Sequence, residues 1–436
     1  MKMKIKHITY TLAALVLAGS LTAQPRKLSL DECLQLALEN NYSIKIADID
    51  RQQAENNVSP SPFLPKVSLN ASQTQTSTKT RVTYTADNSR GESDNTVDNL
   101  SVGASVNWTL FDGGAMFATR KRTQQLLEQG DLNLRNAIEK LIVEVSTQYY
   151  AIIIQHSRVK AARQYMGISM MRYNQALEKY RLGSISGLEM KQAKIDLNAD
   201  SSQLITEQEN LRNSYISLYE IINIPSDSTF SVQGKVQPEG KLELADLRNS
   251  ALENNVSIIS AKTGKRISEN DLDLARALRF PTLNFGAGYT YNYSDNPIST
   301  TKYSRAQGLN WGFSLNYTLF NGTDNRRKIR NAKLQVEAED LSVKQVELNV
   351  ISTINSTYNS YRSNLQMINF EQESSDAAKL NLDTAIDKYR LGSISGIEFR
   401  EIQRSYLNAE IRRLAALYQA KVSEITLLYL SGRLLN

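Results

Sequence analysis

Cysteine occurs once in the 436 residues, at Cys33, and histidine twice, at His7 and His156. A lone cysteine forms no internal disulfide, and one cysteine with two distant histidines gives no metal-ligand cluster. His156 reads as a packed helix residue and Cys33 as a small buried one. Long apolar runs are missing too, and a mean hydropathy of −0.40 argues against a helical membrane bundle. No clustered Lys/Arg patch suggests nucleic acid. No catalytic triad, phosphate loop or cofactor motif appears, and Gly113-Gly114 reads as a strand-to-helix turn. The chain is therefore expected not to be an enzyme and to need no cofactor or metal.

One membrane-like stretch is present, Ile8 to Ala23. Lys2, Lys4 and Lys6 precede it, Leu12 to Leu17 form its centre, and small residues end it near Ala23. It is too short to span a bilayer and has the form of a secretory signal peptide, residues 1–23. Its removal takes the formal net charge from +6 to +3, so the basic balance is partly a targeting feature.

The remainder is a duplication. KYRLGSISG occurs at Lys179–Gly187 and again at Lys388–Gly396, and Trp108–Gly113 matches Tyr317–Gly322, both at an offset of 209. Ala37-Leu38-Glu39-Asn40-Asn41 recurs at Ala251–Asn255 with an offset of 214. A period this long excludes a solenoid and implies two related halves, 24–240 and 241–436. Each half is expected to hold a helix of about thirty residues (30–59; 245–279), two strands (66–78 and 99–111; 281–293 and 308–320) separated by polar loops (79–99; 294–307), a very long helix (114–182; 323–391), and a last helix (187–222; 396–430).

The strands alternate, the first more weakly because Gln73 and Gln75 break its apolar phase. Leu100, Val102, Ala104, Val106, Trp108 and Leu110 interleave with Ser101, Gly103, Ser105, Asn107 and Thr109; Leu309, Trp311, Phe313 and Leu315 interleave with Asn310, Gly312 and Ser314. Period two sets an apolar phase against a polar one. Runs of about eleven residues suffice for a tilted membrane strand, and Tyr and Trp gather here as in interfacial girdles. A soluble sheet with one wet face has the same alternation; the signal peptide and the polar loops favour the membrane. Four strands cannot close a barrel and lipid tolerates no open edge, so oligomerisation is required, with eight strands from two chains or twelve from three.

The first long helix carries a seam at Ile138, Ile142, Val145, Tyr149, Ile152, His156, Val159, Arg163, Met166, Met170, Tyr173, Leu177 and Tyr180. Steps of four and three give a 3.5-residue period and a left-handed coiled coil. Nearly seventy residues of helix span about 100 Å. Several such rods side by side would make a hollow cylinder. After each long helix, Gly183 and Gly392 suit a left-handed C′ position, while Ser186 with Glu189, and Ser395 with Glu398, have capping-box spacing.

Leu28–Glu32, Ala37–Asn41, Leu64-Pro65, Leu110–Gly114, and Tyr180-Arg181-x-Gly183-x-x-Ser186 with its copy Tyr389-Arg390-x-Gly392-x-x-Ser395 together resemble the TolC-like outer-membrane efflux protein family. The resemblance covers essentially the whole chain after the signal segment. It implies a mainly α protein with β: a long coiled-coil helical barrel, four strands per chain in a trimeric transmembrane β-barrel, and an internal twofold structural repeat. It further implies an outer-membrane exit duct of a tripartite efflux or type I secretion system in a Gram-negative bacterium. Such a duct conducts solutes passively from a periplasmic adaptor and an inner-membrane pump. By the resemblance, Arg181, Gly183, Ser186, Arg390, Gly392 and Ser395 are adaptor contacts at the helical tips. Glu398 and Glu401 form a periplasmic gate, where a ring of carboxylates favours cations. Many members carry a lipidated cysteine at the cleavage site; this chain has none there, so no lipid anchor is expected.

Two other readings stand beside this one. A periplasmic adaptor also has helical hairpins, usually one per chain, and its β domains do not alternate for lipid. A coiled-coil scaffold would have the helices and conduct nothing.

Overall fold

The computed structural model describes residues 26–86, 88–226, 230–240 and 242–435, so the expected signal segment lies outside the described residues. In chain order the elements are β1 (Arg26–Leu28), α1 (Leu30–Asn40), α2 (Tyr42–Asn56), β2 (Lys66–Thr83), β3 (Arg90–Phe111), α3 (Ala115–Arg181), α4 (Gly187–Ile221), β4 (Phe230–Val232), α5 (Leu244–Asn254), α6 (Val256–Ala277), β5 (Thr282–Asp295), β6 (Tyr303–Asn316), α7 (Asp324–Arg390) and α8 (Gly396–Leu430). The fold is mainly helical. α3 and α7 have 67 residues each, and α4 and α8 have 35 each. A four-stranded sheet has the order β2-β3-β5-β6, and β1 pairs with β4 in parallel.

The chain divides into two compact units. One holds residues up to Tyr42, Ile138–Leu244 and Asn355–Tyr429. Its interior is apolar around Val145, Ile152, Ile222, Tyr361 and Leu427. The Tyr149 hydroxyl lies 3.0 Å from the Leu28 carbonyl and 2.6 Å from that of Gln233, tying the small sheet to α3; burial pushes this phenol up to about 12. The other unit, Ser43–Ala137, Ala245–Ile354 and the residues from Leu430, holds the four-stranded sheet.

The single helices expected over 30–59 and 245–279 are each broken. α1 opens on a complete capping box, Ser29 with Glu32, and ends at Asn41 in extended backbone. Asn41 Nδ2 donates to the Ile221 carbonyl at 2.9 Å. Asn255 parts α5 from α6. Its side-chain oxygen accepts from the Ser257 and Ile258 amides at the start of α6, and its Nδ2 donates to the Leu430 carbonyl at 2.9 Å. Each asparagine satisfies carbonyls that the end of a 35-residue helix leaves unpaired. That demand from another element outweighs helical continuity.

The expected polar loops are largely strand. β2 runs on to Thr83 and β3 starts at Arg90, in unbroken register from Lys66↔Asn107 to Thr83↔Arg90. β3 meets β5 only from Asp98↔Asp295 inward. From Thr76↔Val97 outward the hairpin is therefore a two-stranded ribbon. Threonines favour extended backbone without needing an apolar face, and Glu92 takes Lys79 at 2.7 Å and Arg81 at 3.0 Å across the ribbon. β6 begins at Tyr303 and ends at Asn316, short of the expected residue 320.

The seam of α3 also differs. Val145, Tyr149, Ile152 and Val159 are buried as expected, but His156, Arg163, Met170 and Tyr180 are exposed, and Gln155, Ala162, Tyr165, Ser169, Arg172 and Ala176 are buried instead. Beyond Ile152 the contact line is set by small and polar residues, which an apolar period passes over. His156 Nε2 lies 2.7 Å from the Tyr215 hydroxyl of α4.

Candidate functional sites: an inverted sheet and a pair of helical tips

Register assigns every strand residue to one of two faces. One face carries Leu69, Leu100, Val102, Trp108, Tyr289, Leu309, Trp311, Phe313 and Leu315, all exposed; Leu309 is 73% and Trp311 68% accessible. The other carries Ser72, Ser101, Gly103, Ser105, Asn107, Gly286, Gly288, Asn310 and Gly312, and lines a shallow concavity of about 550 Å³. The apolar face is thus fully open, where a soluble sheet would bury it. β2 and β6 each have one unpaired edge. Among the described residues, no helix is long and apolar enough to cross a membrane.

The two helical turns are built alike. Gly183 and Gly392 take φ of +72° and +75°. The Gly183 amide donates to the Tyr180 carbonyl at 3.0 Å and the Ser184 amide to that of Lys179 at 2.8 Å; Gly392 and Ser393 repeat this with Tyr389 and Lys388 at 3.1 and 2.9 Å. Both pairs make the Schellman pattern that a left-handed glycine permits. Ser186 Oγ accepts from the Glu189 amide at 3.4 Å, and Ser395 Oγ from the Glu398 amide at 3.1 Å.

Arg181, Gly183, Ser186, Arg390, Gly392 and Ser395 are all exposed. Arg181 pairs with Glu178 at 2.9 Å and Arg390 with Asp387 at 3.4 Å, each along its own helix. Glu398 and Glu401 share an exposed face of α8, opposite the buried Phe399 and Gln403. The two hairpins touch through side chains: Arg390 Nη2 lies 3.6 Å from Met171 Sδ, and Lys179 Nζ sits 5.3 Å from the centre of the Tyr389 ring.

Behind the tips lies a buried ion network absent from the sequence reading. Arg400 of α8 forks onto Asp200 of α4, with Nη1 2.6 Å from Oδ2 and Nη2 2.8 Å from Oδ1. This pairing holds the guanidinium above its usual range against the cost of burial. Ser169 of α3 donates to the same Asp200 carboxylate. Gln403, 0% exposed, donates to Ser169 Oγ at 3.0 Å and to the Tyr165 carbonyl at 3.3 Å. Arg172, 3% exposed, meets Asp196 at 2.7 Å. The available signal was the spacing of Asp196 and Asp200, four apart on one helical face. At an offset of 209, Arg172, Asp196 and Asp200 correspond to Asn381, Ser405 and Ala409, so this network exists in one version only. Among the described residues, no group of three or more His, Cys, Asp or Glu side chains is placed to hold a metal.

Comparison with known proteins follows these features closely. The sequence pattern of the family described as "Outer membrane efflux protein" matches residues 33–223 and 247–433. Protein CyaE of Bordetella pertussis is 23% identical over 417 residues, 93% of this chain and 84% of that one. The probable outer membrane lipoprotein SilC of Salmonella typhimurium is 21% identical over 400 residues, 90% and 83% of the two chains. The crystal structure of the Campylobacter jejuni CmeC outer membrane channel superposes with a TM-score of 0.79 at 17% identity, covering 99% of this chain and 94% of that one. At that identity the likeness is one of fold.

Proposed function

The chain belongs to the outer membrane efflux protein family, and we propose on that footing that three copies form a conduit through the outer membrane, with twelve strands in a lipid-embedded barrel and twelve helices in a periplasmic tunnel. The observation that carries this reading is the inverted sheet, whose exposed apolar face needs lipid and whose two open edges need neighbours. The helices flanking those edges add support. α2 precedes edge strand β2 and exposes Ile46 and Ile49; α7 follows edge strand β6 and exposes Leu334, Leu341 and Leu348 at heptad spacing. Head-to-tail joining of one copy to the next would cover both sets and close a ring. The same face argues against a soluble adaptor or a scaffold.

The finer assignments are part of the same proposal. Residues 1–23 are a secretory signal, followed by two structural repeats, 24–240 and 241–436. The conduit is not an enzyme; it passes solutes from a periplasmic adaptor and an inner-membrane pump, and the energy comes from the pump. The tip residues Arg181, Gly183, Ser186, Arg390, Gly392 and Ser395 meet the adaptor. Glu398 and Glu401, presented by each copy, narrow the periplasmic entrance as a carboxylate ring. No lipid anchor is assigned, since Cys33 lies within α1 and is buried.

Planar-bilayer recording tests both conduit and gate. The purified protein is expected to conduct, and Glu398→Ala with Glu401→Ala is expected to raise conductance and weaken cation preference. Unchanged conductance in the double variant removes the gate and leaves the conduit. A chain that stays folded as a monomer without detergent removes the conduit.

A further inference from the structure

Beyond Lys66, the first residue of β2, the polar face of the sheet carries no charge among the described residues. In register, its positions run Ser68–Val82 in β2, Gly91–Thr109 in β3, Thr282–Ser294 in β5 and Ser304–Asn316 in β6, taking alternate residues. Among these described residues stand only Ser, Thr, Asn, Gly, Ala and Val. Every Asp, Glu, Lys and Arg of the four strands beyond Lys66 occupies the opposite phase: Lys79, Arg81, Arg90, Glu92, Asp94, Asp98, Asp295 and Arg305.

The polar side chains also lie flat. A Cβ at Gly288 would stand 2.9 Å from Asn310 Oδ1, one at Gly103 3.3 Å from Thr290 Oγ1, and one at Gly286 3.7 Å from Asn107 Oδ1. Each glycine is thus a seat for a polar neighbour on the next strand. These groups also bond one another: Ser68 with Ser105 at 2.9 Å, Ser101 with Asn292 at 2.7 Å, and Thr109 with Asn284 at 2.9 Å. Their hydrogen-bonding capacity is turned sideways along the wall.

We infer that the outer-membrane section of the conduit is an electrostatically neutral, smooth-walled exit that passes anionic and cationic solutes alike, leaving selection by charge to the helical section. The inference rests on the proposed conduit, since it takes the polar face to line the lumen. A charged ring would focus a field and bias passage by sign; past the Lys66 rung at the helical end none is present among the described residues, and glycine at the seats keeps the bore from narrowing.

Thiol modification in proteoliposomes measures the wall potential directly. Ser314→Cys places a thiol on the polar face and Leu315→Cys places one on the apolar face. Cys33 is fully buried with its thiol pushed up to about 11, so the unsubstituted protein is the blank. Cationic and anionic methanethiosulfonates are added from outside, and their rate ratio is compared with that of a free thiol. Ser314→Cys is expected to react with both, with a ratio within about threefold of the free value, whereas a wall potential of several kT would separate the rates about a hundredfold. Adding Gly312→Asp beside it is expected to skew the ratio toward the cation. A ratio beyond threefold without that substitution overturns the neutral wall and leaves the conduit standing. A silent Ser314→Cys with a reactive Leu315→Cys overturns the assignment of faces, and the proposed conduit with it.

Discussion

The sheet and the helical tips both expose apolar residues and turn polar ones away, but by different means. In the sheet, Trp311 and Leu309 stand exposed while serines, asparagines and glycines line the concave side. At the tips, Arg172, Asp200 and Gln403 are buried and the apolar Leu182, Leu391 and Ile397 are exposed. Polarity away from the apolar face is tolerated where its groups find partners. The sheet achieves this with neutral groups bonded along the wall, and the tips achieve it with paired charges.

Charge placed on the wrong face should break this contrast most severely. Arginine on the lipid face of a barrel costs about 2–4 kcal/mol near the midplane, and a trimer would carry the change three times. Trp311→Arg is expected to abolish membrane-inserted oligomer, read by membrane fractionation and by heat-modifiable migration on gels. Asn310→Arg, one residue away on the polar phase, is expected to insert normally. Equal behaviour of the two would show that the faces are not distinct.

A more local effect is expected from unpairing the tip network. Removing one partner of a buried ion pair costs roughly 3–5 kcal/mol. Asp200→Ala strands Arg400 and Ser169 and is expected to raise proteolysis within 165–200 and 395–410 without releasing the protein from the membrane. Arg400→Met combined with Asp200→Leu is expected to restore much of the resistance, because an apolar pair leaves no unpaired buried charge.

Smaller effects come from the glycine turns, which sharpen the comparison by context. Gly113 has φ +71°, and a Cβ there would stand 2.5 Å from the Ala277 carbonyl oxygen and 2.8 Å from Phe280 Cβ; Gly183 has φ +72° and open space around it. Both lose about 1–2 kcal/mol to left-handed strain on becoming alanine, but only Gly113 adds a clash with backbone. Gly113→Ala is expected to lower thermal stability clearly more than Gly183→Ala, as measured by loss of helical circular dichroism.

Much of this architecture was legible in the residues. Alternation located the apolar bands, and the duplicated KYRLGSISG located both turns to the residue. The misreadings share a cause: a polar residue in a regular element is ambiguous until its partner is known. Asn41 and Asn255 looked helical because their real partners, the carbonyls of Ile221 and Leu430, lie some 175–180 residues away. Lys79–Thr83 looked like a loop because a ribbon with two wet faces needs no apolar phase. Arg172 and Arg400 carried no signal in the sequence because only helix packing pairs them with Asp196. The carboxylates Glu398 and Glu401 were visible as an acidic pair, but their role depends on neighbouring copies.

The longer first hairpin has a practical corollary. Past Asp98↔Asp295 its rungs support no other strand, and its bend is closed locally by the Tyr84 amide on the Ser89 carbonyl at 2.8 Å. A peptide epitope grafted into that bend would leave the shared ladder untouched. If the conduit is oriented as proposed, antibody added to intact cells would reach the epitope and give an address label for the cell surface.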